Sequence, residues 1–292
     1  MKNRITRYLS IIILSVLTGV YTPVKAQHEF SVYAGGGLST LRYKTDAGDQ
    51  KNGSGGLLGI GYRYMFSEMW GLGSGIEISL YNSKSTLDNF SYHYMAMDNN
   101  SDSFEFRTKL GSYEEKQQAY YLNIPLMAYL RIDGNIGFYA AAGGKIGIPL
   151  STKYKTTATT LTNSGYYAYE DYEYTEQQFM GFGVFSVPSK KESFDLKPAF
   201  MLSAEVGANR WINDNILLYI GAYFDYGLND IRKSKNSQQL IPYNTAQPTV
   251  VAINSMMNSQ YVVNGQTADV SDKVVPFAVG IKLGATFSFS NR

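Results

Sequence analysis

Between residues 274 and 290 apolar and polar positions alternate almost without a break. Val275, Phe277, Val279, Ile281, Leu283, Ala285, Phe287 and Phe289 fall on one face, and Pro276, Ala278, Gly280, Lys282, Gly284, Thr286 and Ser288 fall on the other. A period of two is the signature of a β-strand. A strand with one uniformly apolar face and one small, polar face is suited to a membrane barrel that shows its apolar side to lipid. The same alternation recurs over residues 30–38, 56–66, 70–80, 118–132, 136–150, 199–210 and 216–228. The pattern therefore predicts an all-β chain: an eight-stranded antiparallel up-and-down transmembrane β-barrel. One strand carries a conflict, because Pro125 falls on its inner face and a proline inside a strand normally marks an edge or a bulge.

The connections sort into two kinds. Those after the second, fourth and sixth strands are short and include the turn signal Asp133-Gly134-Asn135, whereas the others span 39–54, 82–117, 151–197 and 229–273. Short turns at one end and long loops at the other predict short periplasmic turns and long extracellular loops. Trp70 and Trp211 lie at short turns, where interfacial anchors are expected.

The interior of so small a barrel is just wide enough for side chains to fill. Six ionisable residues take inward positions: Arg63, Glu77, Lys145, Glu205, Asp225 and Lys282. Their signs balance, and neighbouring strands would pair Arg63 with Glu77, Lys145 with Glu205 and Asp225 with Lys282. An internal salt-bridge plug is the expectation, because burying an unpaired charge is costly. The rival is a selectivity lining, which would carry an excess of one sign.

The N-terminus adds an address. Lys2, Arg4 and Arg7 precede an apolar core at 9–20, and Val24-Lys25-Ala26 reads as a cleavage site, so residues 1–26 are expected to be a signal peptide and 27–292 the barrel domain. Cleavage would remove Lys2, Arg4, Arg7 and Lys25 and move the formal balance from +2 to −2, which suggests no nucleic-acid partner. Cysteine is absent, which excludes disulfides, thiolate metal sites and a cysteine nucleophile. The expected localisation is the outer membrane of a Gram-negative bacterium.

Three stretches carry a family resemblance. Residues Lys282-Leu283-Gly284-Ala285-Thr286-Phe287-Ser288-Phe289 resemble the C-terminal assembly signal of outer-membrane proteins, with Lys282, Gly284, Phe287 and Phe289 at its defining positions. The tail Ser290-Asn291-Arg292 departs from it, since that signal usually ends at its aromatic residue. Tyr121-Leu122-Asn123-Ile124-Pro125-Leu126 and Tyr139-Ala140-Ala141-Ala142-Gly143-Gly144-Lys145 are similar to strands of an outer-membrane β-barrel family common in Bacteroidetes, related in architecture to OmpA-like barrels. The resemblance implies recognition by the barrel-assembly machinery and also accounts for Pro125. It supplies no catalytic residues.

Catalysis has little raw material, as His28 and His93 are the only histidines. No enzyme activity, cofactor or metal is expected; Glu170, Asp171, Glu173 and Glu176 fit no calcium-loop spacing. Tyr166, Tyr167, Tyr169, Tyr172 and Tyr174 are the candidate loop binding surface, because tyrosine offers large contact area at low entropic cost. The expected function is a non-enzymatic, monomeric barrel in outer-membrane lipid, whose loops serve recognition, adhesion of an extracellular protein or glycan, or envelope integrity. A small porin-like channel and an accessory barrel of a secretion system are the alternatives.

Overall fold

A computed structural model describes residues 27–187, 189, 191–233, 238–263 and 265–289. The expected signal peptide and the tail after Phe289 lie outside them. Among the described residues eight strands form the barrel: β1 (Gln27–Arg42), β2 (Ser54–Met65), β3 (Trp70–Met97), β4 (Ser103–Ile132), β5 (Gly137–Ala158), β6 (Ala199–Asn213), β7 (Ile216–Gly227) and β8 (Val275–Ser288). Each pairs antiparallel with the next. The ring closes between β8 and β1, where Phe30 lies opposite Phe287 and Arg42 opposite Val275. Closure matters because lipid offers backbone groups no hydrogen bonds, so no strand edge can be left open there.

The barrel is inside-out relative to a soluble one. Outward Leu126 is 68% exposed and Leu283 58%, whereas Lys145, on the inward register of β5, is 2% exposed. Inward glycines make room for large interior groups. A Cβ on Gly59 would lie 2.5 Å from the Tyr33 ring, and one on Gly284 2.6 Å from the Tyr219 ring. The short turns close one end; at 213–216 the Asn213 side chain accepts from the amides of Asn215 (3.0 Å) and Ile216 (2.8 Å).

Pro125 sits inside β4 after all. The β3–β4 ladder runs Ser74 opposite Leu126, skips Pro125, and resumes with Glu77 opposite Asn123. The β5 side keeps Pro125 opposite Lys145, so the missing N–H costs only the β3 side. There the Ser74 hydroxyl donates to the Pro125 carbonyl at 2.8 Å.

The long connections differ from the expectation of loops alone. β3 and β4 are 28 and 30 residues long, far more than the roughly 9–11 that cross a bilayer. They leave the membrane as a hairpin, and the span 82–117 is mostly strand. Short strands extend its sheet at Leu161–Tyr167, Tyr172–Tyr174 and Gly183–Phe185. A second small sheet joins Gln238–Gln239, Ser259–Val263 and Gln266–Asp269. Leu87, Phe104, Phe106, Leu110, Phe182, Leu240, Met256 and Val270 pack between them as a core of their own. The extracellular side is thus a folded lobe, since two amphipathic sheets in water bury their apolar faces against each other.

Candidate functional site

The barrel lumen is filled in layers. At mid-height the Lys145 ammonium donates to Glu77 at 2.9 Å and to Asp225 at 3.0 Å. Asp225 also accepts from the Ser203 hydroxyl (2.6 Å), and Glu77 from Asn123 (3.2 Å) and Ser79 (3.0 Å). Lys282 pairs with Glu205, lies 3.9 Å from Glu77, and stands over the Tyr33 ring at 4.4 Å. All six anticipated charges are buried, but the expected pairing of neighbours is not what forms. Gly59, not Arg63, is opposite Glu77; Met201, not Glu205, is opposite Lys145; Gly221, not Asp225, is opposite Lys282. Neighbouring strands therefore hold their charges at different heights. In a lumen this narrow a long ammonium points at the axis and meets carboxylates from two or three strands away. Among the described residues Arg63 pairs with no acid at close range. It is held between the rings of Tyr129 (4.4 Å) and Tyr219 (5.0 Å) and donates to the Thr286 hydroxyl at 3.3 Å.

The periplasmic end carries a pair that is not among the six expected interior charges. Arg131 donates to buried Glu29 at 2.6 Å and stacks over the Trp211 ring at 5.4 Å. Glu29 precedes the first alternating segment by one residue, so extending the alternation would reach it, whereas Arg131 already lies within 118–132 on the inward parity of Asn123. Trp211 is not the outward interfacial anchor expected from its place at a short turn. It shares the inward register of Ser203 and Glu205 and closes the barrel mouth beneath Arg131 instead of anchoring in lipid. Trp70 stays outward and 38% exposed beside the 66–69 turn. A cavity of about 10 Å³ between Arg63, Tyr139 and Tyr219 has room for about one water. Of the assembly-signal residues, Phe287 and Phe289 are exposed, and Phe289 packs edge-on against Phe30 at 5.5 Å, so the last strand is stapled to the first.

At the extracellular end Tyr81, Tyr121, Met201, Tyr223 and Leu41 form an apolar layer, joined by Met257 from the lobe. Just above it Glu115 is fully buried where barrel and lobe meet. It accepts from Tyr113 (2.6 Å), Gln117 (2.8 Å), the Ser255 hydroxyl (2.7 Å) and the Met256 amide (2.9 Å). Burial pushes its carboxyl above the ordinary carboxylate range, and those four donors oppose the shift only in part.

The five tyrosines of the predicted loop surface do not act as one surface. Tyr167 is 2% exposed, stacks on Phe104 at 5.0 Å and belongs to the lobe core. Tyr166 lies under the Arg107 guanidinium at 4.8 Å and donates to Asp171 at 2.7 Å. Tyr174 donates to Glu170 at 2.7 Å. Tyr169 and Tyr172, 66% and 55% exposed, remain outward at the lobe's tip.

Several solved barrels are similar to this chain. Neisserial surface protein A aligns with 91% of this chain and 100% of its own, at 7% identity and a TM-score of 0.33. Ail, the attachment invasion locus protein of Yersinia pestis, solved with the heparin analogue sucrose octasulfate, aligns with 91% and 100% at 16% identity and 0.30. OprG of Pseudomonas aeruginosa aligns with 89% and 95% at 14% identity and 0.30. None of the curated proteins matches the sequence. The model of the outer membrane protein beta-barrel domain matches residues 24–233, more than two thirds of the chain. With its closed ring, lipid-facing apolar band and short-turn, long-connection asymmetry, the chain belongs to the outer membrane β-barrel domain family and is an outer-membrane protein.

Proposed function

We propose that this barrel is a non-enzymatic, non-conducting platform that holds a folded recognition lobe outside the cell. The observation that carries it is the joint filling of the lumen and folding of the lobe. Lys145, Glu77 and Asp225 occupy the axis, Met257 of the lobe packs onto the apolar layer above them, and Phe104 and Phe182 give the lobe its own core. A lobe so anchored presents its surface with little ordering cost on binding, which favours recognition of an extracellular protein or glycan. Tyr169 and Tyr172, with Phe179, are exposed aromatic side chains it offers for contact. The 121–126 and 139–145 stretches support placing the chain in the Bacteroidetes-type branch of the family, and 282–289 supports delivery by the barrel-assembly machinery after removal of residues 1–26.

The test compares cells displaying the native chain with cells displaying a Tyr169→Ser, Tyr172→Ser variant on arrays of host glycans and matrix proteins. Saturable binding lost in the variant supports recognition by the lobe tip. Stepwise conductance of the purified native chain in planar bilayers would favour the channel reading instead.

A further inference from the structure

A row of lysines crosses the outside of the barrel just beyond the membrane. In the strand register Lys51 lies opposite Lys84, Lys84 opposite Lys116, Lys116 opposite Lys155, and Lys155 opposite Lys191. The short strands Asp49–Asn52 and Lys191–Ser193, with β3, β4 and β5 between them, thus each place a lysine on one rung, spanning about 19 Å at about 4.8 Å per strand. Lys84, Lys116 and Lys155 take the outward parity, since the flanking Ser83, Ser85, Glu115, Gln117 and Tyr154 are buried, and Lys51 and Lys191 share their face as register partners. Like charges directly opposite each other destabilise a sheet, so this rung works against the fold unless something anionic lies across it.

Among the described residues, the acids in ion pairs or in register on the outward face of this rung answer its charge from one side. Glu114 pairs with Lys84 and with Lys116 (3.2 Å), but it stands one step further from the membrane, as does Asp49. On the membrane side of β3, β4 and β5 the next outward residues are Asn82, Gln118 and Lys153. Asp195, lower on that flank, is engaged by Lys233 at 2.9 Å. Lys84, Lys116, Lys153, Lys155 and Lys191 together line a surface groove of about 430 Å³.

We propose that this groove binds phosphate groups of the phosphorylated glycolipid in the outer leaflet. Height selects the lipid over a soluble anion. Lys116 is four residues beyond Tyr120, the last large residue of the apolar band on β4; with strand tilt that is roughly 10 Å above the hydrocarbon, at headgroup level. A lysine stem is long and flexible enough to carry its ammonium from Glu114 to a headgroup phosphate within that layer. The lysine rung lies on the membrane side of Glu114 and Asp49, the polarity a headgroup site needs.

The experiment uses the full barrel, folded into detergent and then incubated with lipid A or with enzymatically dephosphorylated lipid A. Glycolipid retained through repurification is counted by mass spectrometry. The native chain is expected to retain phosphorylated lipid A at least tenfold better than the dephosphorylated form, with retention falling as salt rises. A Lys84→Gln, Lys116→Gln, Lys155→Gln variant is expected to lose that preference, while Lys109→Gln, seven residues further out on β4, keeps it. Equal retention of the two lipids by the native chain overturns the proposal whatever the variants do. So does an unchanged preference in the folded triple variant. Binding of a soluble sulfated oligosaccharide without any preference between the lipids overturns it as well and assigns the groove to soluble glycans.

Discussion

At the scale of single residues the charge network is where the fold is most exposed to substitution. Lys145 has two carboxylates within 3.0 Å and no water-facing surface, so its removal leaves Glu77 and Asp225 buried with Lys282 the nearest remaining cation to Glu77. Lys145→Met is expected to lower stability by about 3–5 kcal/mol in urea titrations in lipid vesicles. Lys109→Met, on the exposed lobe surface, should stay within about 0.5 kcal/mol of the native chain. Which residues would be buried was legible, because inward parity follows from alternation alone. Which would pair was not, because pairing depends on the stagger between strands and on side chains crossing the lumen. Glu115 lies outside what alternation at membrane level could reach, and it carries a pH prediction. Burial raises its folded pKa, so the folded state holds the proton more tightly than the unfolded chain does. Docking of the lobe is therefore firmest in acid; it weakens as pH rises out of the ordinary carboxylate range and levels off above the raised folded value. Hydrogen exchange at 253–258 should show more protection at low pH, and Glu115→Gln should flatten that dependence.

Among the elements, the strands within the membrane were legible because lipid imposes a strict rule on every outward position. The extensions were not. Residues 104–110 also alternate, with Phe104, Phe106 and Leu110 buried against Glu105, Arg107 and Lys109, but their apolar face meets another sheet and not a bilayer. Alternation reports a two-faced strand and is silent on what covers the apolar face. Tyr167 shows the same limit: its neighbours Tyr166 and Tyr169 are similar in sequence, yet the ladder with β4 turns Tyr167 onto Phe104. The lobe's dependence on this core is separable from the barrel's. Phe104→Ala should cost the lobe about 3–5 kcal/mol. Protease sites within 161–185 should open in that variant, while the folded barrel keeps its heat-modifiable migration on gels, since the barrel ladders are untouched.

For the whole molecule, the balance of interior charge argues for a plug over a pore, and the layering is a second, independent support for that proposal. From the periplasmic side the lumen is crossed by Arg131 over Trp211 with Glu29, then Arg63 between two tyrosine rings, then the Lys145 and Lys282 networks, then the apolar layer that Met257 completes. Only the last of these borrows a side chain from the lobe. Replacing 238–270 by a short turn should therefore expose the upper apolar layer and Glu115 without opening a path, because three layers below it are built from barrel strands alone. In planar bilayers both the native chain and this deletion should stay at the baseline, provided heat-modifiable migration shows that each has folded. Steps that appear only in the deletion would make the lobe the gate of a pore, and steps in both would mean that the charged layers part readily enough for ions to pass.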